Sequence, residues 1–554
     1  MAAYRPGRSK AKEWDLFEEI EDPNKVRCKQ CETEVSKKIE RVRVHLEKCR
    51  NSKRRRDDAE DEQDVEEPTT APKLDKWVVR TTGAMKKKLD EQYARGIYAG
   101  NIAFNAADNP QMRKFIEMTR GGTYVAPGRK ELAGHLLDTV SDECEGKLRQ
   151  QLVGKNVILV QDGWSNVQNQ PVIGSCLHTG DKSYFVGAVD TGTNKKTAQC
   201  IAQLADEEIK RCEKEYGCTV VGYISDNEAK MVAVRKILEE LRPGFITLGC
   251  AAHYVNLALQ EISPKPLIGQ IVEVQKYFRN HHLPAAWLAE KPTSVKPQLP
   301  NETRWLSHEE CVKTYVRNYP HYVNIATEHE EEIDDKIKRI VENSGVYRSA
   351  THLEKQLIAV AAALNRLQSD ACCAAEGVDV WMQLLANSEL ESHRPAIQKR
   401  FQQWLKPVHL VAYKLHPVYR GEKLSAKQED EVHTWLEGRN PAFVGPLLLF
   451  EAKDPKLPKA LFNETSTSTV KPGAWWRILC NRMKKSESAD AVPEEFTQLM
   501  EQVQSVPCSS ASIERSFSTL GNVHSKIRNR LGVQKAAKLA KCYSLLKSDE
   551  EWWW

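Results

Sequence analysis

The feature that most restricts the fold is a change of hydrophobic period after Gly154. Upstream, Ala106–Met118 and Lys130–Leu152 carry apolar residues three and four apart, the spacing of one helical face. Gly121-Gly122-Thr123-Tyr124-Val125-Ala126-Pro127 between them is a loop rich in helix breakers. Downstream, Val157-Ile158-Leu159-Val160 is a short apolar run of the buried-strand type, and Pro171–Leu177 and Tyr184–Val189 read as two more strands. Thr197–Tyr216 then reads as a helix, Thr219–Ile224 as a strand, Glu228–Leu241 as a helix, Phe245–Leu248 as a fifth strand and Ala251–Ile262 as a helix. Three strands followed by alternating helices and strands predict a mixed α/β sheet. From Ser263 to about Gln504 the pattern is mostly helical and interrupted by prolines, with Leu353–Leu367 its strongest amphipathic stretch. Ser509–Leu546 is helical again.

At 554 residues the chain has room for three or four domains. A net charge of only +5 means that any nucleic-acid surface has to be local rather than global. The polar, basic start, Met1–Lys12, lacks the apolar centre of a secretory signal, and no run of 18 apolar residues suggests a membrane span. Fifteen cysteines, an odd number spread over a long chain, point to a reducing compartment with a few thiolates holding metal. Lys53-Arg54-Arg55-Arg56, an acidic run over Asp57–Glu67 and the prolines Pro68 and Pro72 make a charged linker. Its basic end reads equally as a nuclear import signal or as a solvated linker end.

Cys28, Cys31, His45 and Cys49 have the spacing Cys-x2-Cys-x13-His-x3-Cys. Two thiolates on a knuckle, then a His and a Cys one helical turn apart, can close a tetrahedral Zn²⁺ shell. Arg41–Lys48 would be the basic helix carrying the last two ligands. Trp14 and Phe17 would pack a core too small to persist without metal. The unit resembles a BED-type zinc finger with a Cys in place of the commoner last His, which implies a helix facing DNA.

Asp162 follows the first strand in Gln161-Asp162-Gly163-Trp164, and Asp226 follows the fourth in Ser225-Asp226-Asn227. If those strands are neighbours, the two carboxylates converge at one end of the sheet, where they suit Mg²⁺ or Mn²⁺. Glu514, in the first turns of a helix opened by the capping serines Ser509 and Ser510, is the candidate third acid of a two-metal clamp for phosphoryl transfer. Read singly, each has a plainer role: a turn or cap for the aspartates, a surface pair with Arg515 for Glu514. Cys250 and His253 have no second pair at zinc spacing, so a structural or DNA-facing role fits them better. Trp552-Trp553-Trp554 has no physical account.

Taken together, Asp162-Gly163-Trp164-Ser165, Ser225-Asp226-Asn227, Cys250-Ala251-Ala252-His253 with Tyr254-Val255-Asn256-Leu257, Thr303-Arg304-Trp305-Leu306-Ser307, Trp475-Trp476 and Ser510-Ala511-Ser512-Ile513-Glu514-Arg515-Ser516-Phe517-Ser518, with Arg528 and Leu531 beyond, occur in the order seen in the hAT superfamily of DNA transposases. The chain from about Trp77 to Leu546 resembles that family. The resemblance implies a ribonuclease-H-like fold interrupted by a large all-helical insertion ahead of the last acid, and a homodimer or higher oligomer joined through the C-terminal region. It implies that Asp162, Asp226 and Glu514 hold catalytic Mg²⁺ or Mn²⁺ for strand cleavage, hairpin formation and strand transfer on double-stranded DNA in the nucleus. It also implies that Trp305 stacks on a base turned out of the duplex, that Arg304 holds phosphate and that His253 lies near the scissile strand.

The expected architecture is a finger over 10–52, a charged linker over 53–75 and a helical DNA-binding or oligomerisation domain over 76–153. The first part of the ribonuclease-H-like core follows over 154–262, a helical insertion over 263–500, and the last part of the core with the dimerisation region over 501–548. Glu228-Ala229-Lys230 departs from the small residues that relatives carry after the Asn, and puts activity rather than fold in question. The alternative is a domesticated, transposase-derived protein that binds DNA in transcription or chromatin without catalysis.

Overall fold

A computed structural model describes residues 12–20, 22–29, 31–46, 49, 81–119, 123–192, 197–301, 306–452, 459–484, 492–525, 528 and 531–548. Arg304, Trp305, the basic run at Lys53 and the C-terminal tryptophans lie outside these residues, as does the side chain of Trp14. The chain divides into two units, Met1–Arg80 and Thr81–Trp554.

The first unit is built on a three-stranded antiparallel sheet of β1 (Phe17–Glu19), β2 (Lys25–Cys28) and β3 (Glu34–Ser36). A helix over 39–46 covers it. Among the described residues, Phe17, Val26, Cys28, Val42, Leu46 and Cys49 form its core, with Val35 packed against them. A core of this size is small for a free-standing unit, the circumstance in which a structural metal adds most.

The second unit begins with α1 (Gly83–Ala99) and α2 (His135–Leu152). The single helix expected over 130–152 is broken: a short turn, Arg129–Leu132, ends ahead of Gly134 and α2 starts after it. Apart from proline, glycine is the least favourable residue at which to continue a helix. The helix expected from Ala106 likewise starts late, at Pro110, whose missing N–H suits a first turn.

A five-stranded sheet follows: β4 (Asn156–Ser165), β5 (Pro171–His178), β6 (Ser183–Asp190), β7 (Thr219–Ser225) and β8 (Ile246–Gly249), with α3 (Ala198–Tyr216) between β6 and β7 and α4 (Ala229–Leu241) between β7 and β8. The spatial order is β6-β5-β4-β7-β8. β4, β5 and β6 form an antiparallel meander; β7 runs parallel to β4, and β8 to β7. The period of two decides the layers. Val157 and Leu159 pack with α3 and α4 through Ile201, Ile209, Val234 and Leu238. Ile158, Val160, Cys176 and Ile224 face the other way, into the core that also holds Ile513, Phe517 and Leu520.

After β8 the described chain is helical as far as Ser505. It includes α5 (Ala251–Ile262), α6 (Lys265–Asn280), α7 (Ser307–Glu328), α8 (Ser344–Leu367), α9 (Ala374–Ala386), α10 (Arg394–Trp404), α11 (Pro407–Lys414), α12 (Pro472–Lys484) and α13 (Glu494–Ser505). α5 to α10 share a core of their own, including Ile271, Tyr315, Leu357 and Trp381. Trp404 ties that core to the sheet, its indole N–H donating to the Gly249 carbonyl at 3.0 Å. The helical segment expected over 509–546 holds two described helices, α14 (Ala511–Val523) and α15 (Val533–Ser548). No described helix is long and apolar enough to cross a membrane.

Candidate functional site

In the N-terminal unit, the ligand atoms of Cys28, Cys31, His45 and Cys49 lie within 4.8 Å of one another. β2 ends on Cys28, the helix presents His45, and the Phe17 ring meets His45 edge-on at 5.7 Å. The Cys31 sulfur lies 3.2 Å from His45 Nε2. Thr33 beside Cys31 draws its thiol down to about 6, whereas burial pushes Cys49 up to about 11. Three thiols and an imidazole gathered at this spacing match the donor set and size of Zn²⁺.

In the larger unit, β4 runs longer than its apolar core suggests. Its parallel pairing with β7 ends at Val160↔Ile224, but antiparallel pairing with β5 continues through Asp162↔Gly174 to Ser165↔Pro171. Asp162 therefore lies inside a strand rather than after one, because Gly163-Trp164-Ser165 still find partners on β5. Asp226 does follow its strand directly. Both acids stand two residues beyond the last parallel pair, so they share a face and a level at the C-terminal ends of β4 and β7. Asp162 and Asp226 line one cavity of about 210 Å³ with Glu228 and Lys230.

Glu514 arrives on α14, whose Ile513, Phe517 and Leu520 pack on the same sheet face. Three contacts bring the helix there. Gly174 opens a place for it: a Cβ at that position would lie 2.6 Å from Phe517 Cε1 and 2.9 Å from Ile513 Cδ1. The Trp164 ring stacks on Phe517 at 5.8 Å. The turn before α14 is stitched to the turn after β8, since Ala251 N–H donates to Cys508 O at 2.9 Å and Ser510 N–H to Cys250 Sγ at 3.3 Å. Ser510 does not cap the helix through its side chain, as the sequence suggested; its hydroxyl is buried without a partner, because the residue is held by its backbone. Arg515 turns to Asp370 and the Gln368 carbonyl rather than to Glu514.

All three acids are raised above the ordinary carboxylate range. Burial, then the Asp226 charge, pushes Asp162 up to about 7. Burial, then the Asp162 charge, pushes Glu514 up to about 8. Asp226 is raised by burial and by Glu228. His253, half-buried on α5, is lowered by burial and feels the charges of Asp226 and Glu228. Asp162, Asp226, Glu514 and His253 are thus one electrostatic neighbourhood. The finger ligands are the only group of three or more Cys, His, Asp or Glu donors among the described residues that is gathered tightly enough to grip an ion as it stands.

Several residues that shape the site escaped the sequence reading. Arg235, buried on α4, donates to Ser225 Oγ at 2.7 Å and to the Asp226 carbonyl, fixing the turn that aims Asp226. Nothing in its spacing separates it from a surface arginine. Asn227 Nδ2 donates to Cys250 O at 2.7 Å, and its Oδ1 fills the space where a Cβ on Gly249 would sit. Gly174 did carry a signal, since an isolated glycine inside a strand marks a close approach.

Two family models match the chain. A domain of unknown function, DUF659, covers residues 127–277, and the hAT family C-terminal dimerisation region covers residues 456–542. The first span holds Asp162, Asp226 and His253; the second holds Trp475, Trp476 and Glu514. No curated protein matches.

Proposed function

We propose, from the premise that this chain is a hAT-family transposase or a derivative of one, that it cuts and joins double-stranded DNA by divalent-metal-dependent phosphoryl transfer. The observation that supports the reading is that Asp162 and Asp226 stand level at the ends of neighbouring strands and that the helix of Glu514 packs on the same sheet, with Asp162 and Glu514 each held protonated by burial and by the charge of another acid of the set. The strand order, an antiparallel meander followed by two parallel strands, supports a ribonuclease-H-like core interrupted by the helices over 265–505.

Hard oxygen donors with shared negative charge fit Mg²⁺ or Mn²⁺, and Asp162, Asp226 and Glu514 would hold it. Such an ion supplies charge neutralisation at the scissile phosphate. The chain's own part is to hold the three carboxylates in position: Arg235 and Asn227 fix the Asp226 turn, and Trp164 and Gly174 seat the Glu514 helix. His253, kept neutral by burial, is suited to meet the DNA backbone as a hydrogen-bond donor. Arg304 and Trp305, three and two residues before α7, are assigned phosphate and flipped-base contacts, the Zn²⁺ finger binds duplex DNA, and the C-terminal region joins copies of the chain.

A second reading, a domesticated DNA-binding protein acting in transcription or chromatin, is favoured by one observation: Lys230 lines the same cavity as Asp162 and Asp226 and can offset their charge without metal. One experiment separates the two. Purified protein is incubated with the DNA flanking its own gene and Mg²⁺ or Mn²⁺, beside Asp162→Asn. Nicks and hairpins that vanish in the variant support the transposase; binding without cleavage in either metal supports the regulator.

A further inference from the structure

A cavity of about 630 Å³ in the second unit lies away from the acids. It lies at the opposite end of the sheet, where β4 begins and β5 turns into β6, about 20 Å from Asp162 along β4 at ~3.3 Å per residue. Residues of five regions wall it: the start of β4, the turn between β5 and β6, α9 and the residues before it with the chain after α11, the segment 467–477, and the end of α13, the last two inside the matched dimerisation region. Its volume suits a small organic ligand.

Two wall residues have polar capacity that the protein does not use. Gln504 is 4% exposed; its Nε2 donates to Ala412 O at 3.0 Å, and its Oε1 has no partner. The Ala412 bond fixes which way the amide faces, so the unused group is an acceptor. His416 is 6% exposed, and its Nδ1 accepts the Val418 N–H at 3.2 Å. Its ring proton therefore sits on Nε2, a donor with no protein acceptor among the described residues. Tyr419 adds an aromatic wall 4.6 Å from His416. At the rim, Lys155 is exposed and has no acidic partner among the described residues, whereas Lys471 is occupied by Asp181 and Arg477 by Glu501. The half-buried Glu376 carboxyl stands in the same wall.

We propose that this cavity binds a free nucleoside monophosphate. A nucleobase is flat and offers both an N–H donor and a ring acceptor, matching Gln504 Oε1 and His416 Nε2–H beside Tyr419. Ribose hydroxyls match Glu376, and a phosphate matches Lys155. Bound there, the ligand joins the sheet, the inserted helices and the dimerisation segment, and so steadies the order of all three.

The test is calorimetric titration of the full zinc-loaded chain with each of AMP, GMP, CMP and UMP, with the matching nucleosides and a short single-stranded oligonucleotide as separate arms. At least one monophosphate binds saturably and raises the melting temperature. Lys155→Glu, a surface change that leaves the fold intact, weakens that monophosphate about tenfold while leaving its nucleoside unchanged. Gln504→Leu weakens both by a similar factor. No binding by any of the four, binding that ignores both variants, or binding of the oligonucleotide alone overturns the proposal. Cleavage of DNA is not part of the readout, so the outcome is independent of the catalytic reading.

Discussion

Replacing Gly174 by alanine isolates the contribution of the Glu514 helix. The added methyl would sit 2.6 Å from the Phe517 ring, against a carbon–carbon contact of about 3.5–4.0 Å. Phe517 is stacked on Trp164 and Ile513 crowds the same methyl, so neither can simply turn aside. The helix has to lift by about 1 Å, the shortfall in that contact. Overpacking of this kind costs about 1–3 kcal/mol, read as a lower urea midpoint at unchanged slope. A displacement of about 1 Å at a catalytic carboxylate costs on the order of a hundredfold in rate, so strand cleavage falls much more than stability. Gly187→Ala is the control, another strand glycine whose nearest neighbour is an arginine nitrogen 3.8 Å away; it leaves both quantities near the wild type. Wild-type cleavage in a Gly174→Ala protein would refute the claim that the helix is seated through this glycine.

The raised acids make the metal-free protein less stable as pH climbs. Asp162 and Glu514 ionise near 4 when unfolded but only at about 7 and about 8 when folded, so their penalty is absent below pH 4 and grows until about pH 8. Melting temperature without metal should fall over that window, Asp162→Asn should flatten the fall, and Mn²⁺ should stabilise more at pH 8 than at pH 5; stabilisation independent of pH would count against carboxylate ligation. Cys28→Ser with Cys31→Ser should remove about one zinc per chain by elemental analysis, consistent with one four-ligand shell, and release the finger to proteolysis, with unchanged zinc as the contrary result. Arg235→Leu should destabilise the chain by about 1–3 kcal/mol through loss of the bonds to Ser225 and Asp226, and should lower Mn²⁺ affinity; unchanged affinity would mean that the Asp226 turn holds itself.

The sheet was legible because its strands are buried on both faces and read as dense apolar runs, Val157–Val160 most clearly. Its length was not: Asp162 to Ser165 is polar or glycine-rich and is held in β4 only by the partner strand. The two aspartates were visible as acids at strand ends. That Glu514 joins them follows from pairwise fits, Gly174 under Phe517 and Cys250 under Ser510, between residues hundreds of positions apart: the strand glycine marks a close approach but not which segment approaches. The finger was the most legible of all, since metal ligation constrains spacing directly. Breaks such as Gly134 were missed because a helical period continues across them.

The clasp between Cys250 and the turn at Ser510 also has a consequence for synthesis. The strands β4 to β8 leave the ribosome long before α14 does. At about 5–20 residues per second, roughly 15–50 s separate the completion of β8 from the arrival of Phe517. Throughout that interval the sheet face carrying Ile158, Val160 and Cys176 has no cover from α14. A nascent chain, or a message truncated within the inserted helices, thus presents an apolar surface to chaperones while lacking the third acid, so the protein is unable to assemble its complete carboxylate set until its last segment has been made.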